Sequence, residues 1–379
     1  MTTWIWQQPD WPRFTWQSSE VQPHLQTCWR NLGILLGRAG VFAGNTEESE
    51  TAAALDALLQ NILTSSAIEG ERLNVASVRS SLARRLGIEE EKASSSPRSE
   101  GLADLMFDAV GQPDTPLTPE RLFQWHRWLF PETEASLVTL RLGEWRGVEP
   151  MQVVSGRIDR PNVHFEAPPR NRLEAEMDAF LQWFESSRQD RALDPLLRAG
   201  LAHFWFVTLH PFEDGNGRIA RAIADRALAQ ADRHSIRLYA MSSAILAQRK
   251  DYYHRLEASQ KGTLDVTDWL VWFLKTLNVT LKNALDHIER TLNKARFWQR
   301  FGDADLRPEQ VKVLNRLLDG GERGFEQGIS ASQYQKVAKV SKATATRHLA
   351  NLLEQGCIVK LPGGGRSTRY QVAKRSLVD

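Results

Sequence analysis

The chain is 379 residues long, 42% hydrophobic and 25% charged, with a formal net charge of only +2. That composition belongs to a globular protein of two or three domains and excludes a disordered chain, while the near-neutral balance gives no overall field directed at nucleic acid. Its two cysteines, Cys28 and Cys357, lie far apart with no metal-ligand spacing, which excludes a disulfide framework and a cysteine zinc site and suits a reducing, cytoplasmic location. The amino-terminal residues lack the basic stretch and apolar core of a signal peptide, and no segment is apolar enough to span a membrane.

Residues 1–44 are Trp-rich and punctuated by Pro. Trp4, Trp6, Trp11 and Trp16 are expected to pack as a lid on a neighbouring helix, and one helical stretch is expected around Val21–Leu36. Leu55, Leu58, Leu59, Ile62 and Leu63, spaced by three and four, predict a helix ending near Ser65-Ser66-Ala67-Ile68-Glu69-Gly70. Glu89 to Glu91 and Ser94 to Pro97 read as a solvated linker. Thr118-Pro119-Glu120 opens a helix whose aromatic stripe contains His126, expected as a packed core histidine. Residues 151–168 alternate as two short strands around a turn, the only β-structure expected before residue 350. Helices are expected at 172–187, 195–209, 217–230, 244–260 and 267–300.

Between two of these helices the sequence reads His210-Pro211-Phe212-Glu213-Asp214-Gly215-Asn216-Gly217-Arg218-Ile219-Ala220-Arg221. This is a helix, a loop and a helix N-terminus, where unpaired backbone N–H groups make an anion site. Glycines let that backbone approach a phosphate closely. Arg218 and Arg221, three apart, leave the same helix face and match phosphate oxygens. Asp214 is suited to a magnesium ion shared with those phosphates, and His210 to the role of base. Each residue alone would be an ordinary cap or turn residue; together they describe a site for a di- or triphosphate. No G-x-x-x-x-G-K-(S/T) phosphate loop occurs in the chain.

With every defined position filled, this stretch resembles the Fic signature, H-x-F-x-(D/E)-G-N-G-R-x-x-R. The resemblance covers roughly residues 50–290 and implies a mainly α fold, a Fic-type helical bundle with a β-hairpin flap. It implies transfer of AMP from ATP-Mg²⁺ to a protein hydroxyl. In that scheme His210 is the base, Asp214 the metal ligand, and Asn216 with the N–H groups of Gly215 and Gly217 the phosphate cradle. Arg218 and Arg221 would hold the β- and γ-phosphates, and Phe212 would anchor the loop. Tyr252 and Tyr253 resemble the family's adenine-pocket helix, with Gln260 standing where some relatives carry Asn. Val153 and Val154 fall in the strand that would pair with a target backbone. Ser65-x-x-x-Glu69-Gly70 fits the inhibitory pattern (S/T)-x-x-x-E-(G/N), in which Glu69 would pair with Arg221.

The last part of the chain is basic. From Pro308 onward there are twelve Lys and Arg against six Asp and Glu, a local +6 that leaves −4 for the rest of a +2 chain. Three short helices, at 308–318, 332–340 and 341–353, precede a hairpin around Pro362-Gly363-Gly364-Gly365. The layout resembles a winged helix-turn-helix, with Lys342 and Arg347 on the recognition helix and Arg366 and Arg369 on the wing as DNA contacts. The expected domains are therefore 1–48, of unassigned role; 49–300, with an inhibitory helix at about 50–70 and a catalytic core at about 115–290; and 305–379. The expected function is an autoinhibited protein adenylyltransferase acting on a Ser, Thr or Tyr hydroxyl of a target or of itself. Removal of AMP by the same site, and a transcriptional regulator using the scaffold as a nucleotide sensor, are the alternatives. Duplex DNA and a second copy of the chain are further expected partners.

Overall fold

The structure, a computed structural model, describes residues 3–43, 47–88, 95–131, 140–157, 160–231, 238–320, 325, 327–363 and 368–373. They form two compact units, Met1–Ala284 and Leu285–Asp379. The first contains α1 (Ser18–Ala43), α2 (Glu47–Ile68), α3 (Val75–Arg85), α4 (Pro97–Gly111) and α5 (Pro119–Leu129). An antiparallel pair follows, β1 (Gln152–Arg157) and β2 (Arg160–Glu166). Then come α6 (Arg170–Ser186), α7 (Pro195–Leu209), α8 (Asn216–Ala231), α9 (Met241–Ala247), α10 (Arg249–Gln260) and the start of α11 (Thr267–Phe301).

Helix α7 is the centre of this unit. Every residue from Leu196 to Leu209 is buried, and a helix apolar on all sides can only be stable inside a core. Asp194 starts it by accepting from the N–H of Leu196 at 2.8 Å, with Pro195 at the first helical position. Its two titratable interruptions each find a partner. Arg198 donates to Ser187 Oγ at 2.9 Å and Gln230 Oε1 at 2.8 Å, and His203 Nε2 lies 3.0 Å from the Tyr252 hydroxyl. Helix α8 packs along α7, so the loop joining them is held at both ends by core helices.

Several expectations need correction. Ser96 and Pro97 do not belong to a solvated linker: Ser96 caps α4, accepting from Ser99 N at 3.1 Å, with Pro97 as first helical residue. The expected 244–260 helix is two, broken at Gln248 (φ −118, ψ 28). Trp4 and Trp6 pack with Phe165 and Ala167 at the end of β2, and of a helix they meet an edge, with the Arg172 guanidinium of α6 5.5 Å from the Trp6 ring. Trp4 meets Phe165 edge-on at 5.4 Å, and Trp6 Nε1 donates to Glu166 O at 2.7 Å. Trp11 does meet a helix, edge-on to Trp205 of α7 at 6.1 Å.

The second unit contains the end of α11, then α12 (Pro308–Asp319), α13 (Ala331–Ala338), α14 (Lys342–Glu354) and an antiparallel pair, β3 (Ile358–Lys360) and β4 (Tyr370–Val372). Ile329 adds a single bridge to Tyr370. Ser330 and Ser341 cap α13 and α14, and a core that includes Phe297, Leu314, Tyr334 and Leu349 sits between these elements.

Buried titratable groups in the first unit set its response to acid. Burial lowers the pKa of His126 to about 4 and that of His203 to about 3. Both are neutral in the fold, so stability is lost as pH falls from 6.5 towards 4, where the unfolded chain binds the extra protons. Asp225, buried on α8 and accepting from Asn61 Nδ2 at 2.7 Å, has the opposite sign. Burial raises its pKa to about 7, so it contributes stability progressively as pH falls from 7 towards 4. Asp225→Asn should therefore raise Tm at pH 7–8 and steepen its fall between pH 6.5 and 4; an unchanged Tm–pH curve from calorimetry would contradict this assignment.

Candidate active site

Helix α7 stops at His210, whose backbone is left-handed (φ 48, ψ 57). A non-glycine residue there is strained by about 1–2 kcal/mol and has to be held by its surroundings. Its N–H donates to Phe206 O at 3.1 Å and its carbonyl accepts from Arg146 Nε at 2.9 Å. The ring Nδ1 lies 2.9 Å from Val207 O. A carbonyl only accepts, so Nδ1 carries the proton and Nε2 is the basic nitrogen. Burial lowers the His210 pKa, which keeps that nitrogen unprotonated at neutral pH.

The following loop is built on Phe212, which is fully buried. His126 of α5 stacks on it at 4.3 Å and 10°. His126 Nδ1 accepts from Gly143 N at 3.1 Å, so its Nε2 donates to Asp214 O at 3.2 Å. Asn216 brackets Phe212 with both ends of its amide, accepting from Phe212 N at 2.9 Å and donating to Phe212 O at 2.8 Å. Its side chain therefore shapes the loop, while its second Nδ2 hydrogen and its backbone N–H remain for a phosphate cradle. Arg146, 2% exposed, completes the frame. Its N–H donates to Pro211 O at 2.9 Å and its Nη2 to Pro168 O, tying the loop to the residues that leave β2. Burial, and then Arg170, lower its pKa to about 10.

Helix α8 begins beyond Gly215, which takes the left-handed φ of +83. Over its first turn sits a carboxylate from the turn that ends α2: a Cβ on Gly217 would lie 2.3 Å from Glu69 Oε1. Glu69 Oε1 pairs with Arg221 Nη2 at 2.7 Å, and its Oε2 accepts from the Tyr253 hydroxyl at 3.1 Å. Burial would raise the Glu69 pKa, but the charge and hydrogen bond of Arg221, with Arg218 and Tyr253 behind them, hold it below the usual carboxylate value. Arg221 also donates Nε to Ser65 Oγ at 2.9 Å and Nη2 to Ser65 O at 3.0 Å. The expected Ser65–Glu69–Arg221 grouping is thus brought together.

A second pair lies beside it. Glu71 Oε2 takes Arg218 Nη1 at 2.8 Å, while its Oε1 takes Arg98 Nη2 at 2.8 Å. The Phe130 ring lies 4.9 Å from the Arg218 guanidinium and 5.2 Å from that of Arg98. Sequence reasoning missed Glu71, Arg98 and Arg146. Glu71 had one signal, its place two residues after Glu69; the arginines had none, because their partners are distant in the chain.

A cleft of 690 Å³ opens over this loop, lined by Glu69, His210, Asp214 and Gly217 on one side and by Val153 and Val154 of β1 on another. Both valines are exposed. Arg218 and Arg221 do not line it, since the two glutamates hold them aside. Tyr252, Tyr253 and Gln260 all line it. Tyr252 is 1% exposed with its hydroxyl on His203, so it contributes a packed ring; Tyr253 is 37% exposed. Gln260 Nε2 donates to Thr208 Oγ1 at 3.2 Å. Among the described residues no group of three or more His, Cys, Asp or Glu could hold a metal by itself. Asp214, with a side chain 57% exposed at the cleft, fits magnesium only as one carboxylate supplemented by substrate phosphates, the usual arrangement for that ion.

In the second unit Lys342 and Arg347 are exposed on α14. Arg369 is partly committed to the fold, donating Nη1 to Gly328 O at 2.9 Å, and Arg366 lies outside the described residues.

Residues 116–228 match the Fic/DOC family model, and residues 4–88 match a domain of unknown function, DUF4172. Protein adenylyltransferase Fic of Drosophila grimshawi is 27% identical over 55% of this chain and 39% of that protein. The Drosophila mojavensis protein of the same name is 28% identical over 55% of this chain and 38% of its own length. The match thus spans about two fifths of the length of these curated relatives. Among solved structures, a Fic family protein from Desulfovibrio desulfuricans G20 superposes with a TM-score of 0.53 at 20% identity, over 96% of this chain and 99% of that one. A Fic domain containing signaling protein from Bacteroides thetaiotaomicron VPI-5482 gives 0.51 at 19% identity, over 68% and 96%. At these identities the likeness is one of fold.

Arg146→Met should lower the unfolding free energy by about 3 kcal/mol, because it leaves buried carbonyls of the His210 loop and of Pro168 without a donor. Urea titration checks this, and a change below about 0.5 kcal/mol would remove Arg146 from the frame.

Proposed function

We propose that this chain, which carries a Fic domain across residues 116–228, is a protein adenylyltransferase silenced by its own helix α2. The observation that carries the proposal is the juxtaposition of a neutral His210 at the cleft with a Glu69 carboxylate on the helix N-terminus where a phosphate would sit.

In the active state a target hydroxyl lies near His210. Its oxygen attacks the α-phosphorus of ATP, its proton passes to His210 Nε2, and pyrophosphate leaves. Asp214 would hold magnesium, which when bound neutralises charge on the phosphates. Backbone N–H groups at Gly215 to Gly217 receive phosphate oxygens, and Arg218 and Arg221 stabilise charge on the leaving group. The exposed β1 edge offers main-chain pairing to the target, with Val153 and Val154 beside it. Both arginines must first leave their glutamates. A charge-assisted pair is worth about 1.5–3 kcal/mol, which corresponds to roughly ten- to a hundredfold in productive ATP binding.

Labelled ATP and Mg²⁺ in a lysate test this. Glu69→Gly should raise AMP transfer by one to two orders of magnitude and tighten ATP-Mg²⁺ binding measured by calorimetry. Adding Glu71→Ala should raise both further by freeing Arg218. His210→Ala in the Glu69→Gly background should abolish transfer to other proteins and leave ATP binding largely intact. If Glu69→Gly changed neither activity nor affinity, the silencing would have to be abandoned.

For the second unit we infer a winged helix that meets duplex DNA through α14, supported by the exposed Lys342 and Arg347 and the local +6 charge. Binding to a mixed-sequence duplex should be weak and fall steeply with salt, and Lys342→Ala/Arg347→Ala should remove it. No mobility shift at low salt would point instead to a protein-contact role for this unit.

A further inference from the structure

A hydroxyl, an imidazole and a carboxylate line the same cleft as the signature loop. Ser155 Oγ of β1 is 2.6 Å from His164 Nε2 of β2, and His164 Nδ1 is 2.9 Å from Glu257 Oε2 of α10. All three residues line the cleft. Their protonation follows from the geometry. Burial would raise the Glu257 pKa, but hydrogen bonds from Lys261 and His164 pull it below the usual value, so the carboxylate is ionised and only accepts. His164 Nδ1 must then carry a proton, and in the neutral ring Nε2 presents its lone pair with Ser155 as the donor. This is the order of groups that activates a serine nucleophile.

The backbone is built to make this contact. In a regular ladder continuing from Val153↔Phe165, His164 would face Val154 and stand on the opposite side of the ribbon from Ser155. The register instead shifts between Val153 and Val154, and the next pair is Val154↔Val163. His164 is the extra residue of a β-bulge, a device that re-aims a side chain.

The other hydroxyls at the cleft are less able to react. Three described lining residues carry one: Ser155, Tyr252 and Tyr253. Tyr252 is buried on His203, and Tyr253 is bound to Glu69 with its pKa pushed up to about 12 by burial and then by Glu69. Ser155 alone of the three is exposed with a basic nitrogen as its acceptor.

Resting on the adenylyltransferase reading, we propose that Ser155 is a self-modification site, adenylylated on its own flap with His164 as its base and Glu257 as the group that orients His164. Ser155 Oγ forms a bond to the α-phosphorus of bound ATP while the bond from that phosphorus to the bridging oxygen breaks. Pyrophosphate leaves with the electron pair, and the serine proton passes to His164 Nε2 and then to water.

Full-length Glu69→Gly protein incubated with ATP and Mg²⁺, digested and mapped by mass spectrometry, tests this. The expected result is one AMP on the peptide bearing Ser155, lost in Ser155→Ala and kept on residue 155 in Ser155→Thr. His164→Gln should slow that labelling by roughly a hundredfold and flatten its rise with pH, the scale expected for loss of a general base. Labelling of Ser155 at the unchanged rate in His164→Gln would make the imidazole a mere latch of the flap and overturn the assignment of the base. AMP on other residues or on lysate proteins, with none on Ser155, would overturn the site and leave the transferase reading standing. No incorporated AMP anywhere would remove both.

Discussion

Two buried guanidinium groups govern this site. Helix α8 lies against the core helix α7, which leaves Arg218 7% and Arg221 3% exposed. A cation taken that far from water needs acceptors, and removing one partner of a buried pair costs about 3–5 kcal/mol. Here Ser65, Glu69 and Glu71 supply the acceptors. In the proposed active state phosphate oxygens would supply them, because a guanidinium fork fits a carboxylate or a phosphate about equally well. The inhibited and active arrangements are then two solutions to one desolvation requirement. Release of α2 without nucleotide would be the expensive state, so opening and ATP binding are expected to be coupled.

The amino-terminal segment takes part in this from two directions. The stretch matching the domain of unknown function, residues 4–88, includes Trp4 and Trp6 at the end of β2 and also Ser65, Glu69 and Glu71 at the arginines. One run of chain thus supports the β1–β2 hairpin and pairs with both buried arginines. The flap is held again at its bulge, where His164 meets Glu257 of α10. Arg146 joins the loop of His210 to Pro168 just past β2. The His210 loop and the β1–β2 hairpin therefore share a frame.

Much of this was legible in the sequence where local rules govern. Helix α7 was placed to the residue because Asp194-Pro195 starts it and a long, mainly apolar run defines it. The α12 to β4 elements were found within a few residues, since capping serines and a glycine turn mark their ends. The helix at 97–111 was missed because Ser96-Pro97 reads equally well as a loop, and a Ser-rich run before it favoured that reading. The break at Gln248 was missed because helical periodicity runs through it. At the site the motif itself was read in full, but the closing of the loop by the Asn216 amide on Phe212 was not foreseen. His126 was correctly placed in the core, but not as the ring under Phe212 and the donor to Asp214. Sequence spacing reports what lies on one element; it is silent on partners 150 residues away, such as Glu71 for Arg218.

That Glu69 travels on the same polypeptide and in the same compact unit as Arg221 has a consequence for dosage. A tethered inhibitor acts at an effective concentration fixed by geometry, commonly millimolar or above for short connections, whatever the number of copies present. Dilution, overproduction or loss of a second gene product cannot separate the two groups. Under the proposed reading, such a protein would be born silent and could accumulate without harm, waiting for an event that acts on the helix and not on its abundance.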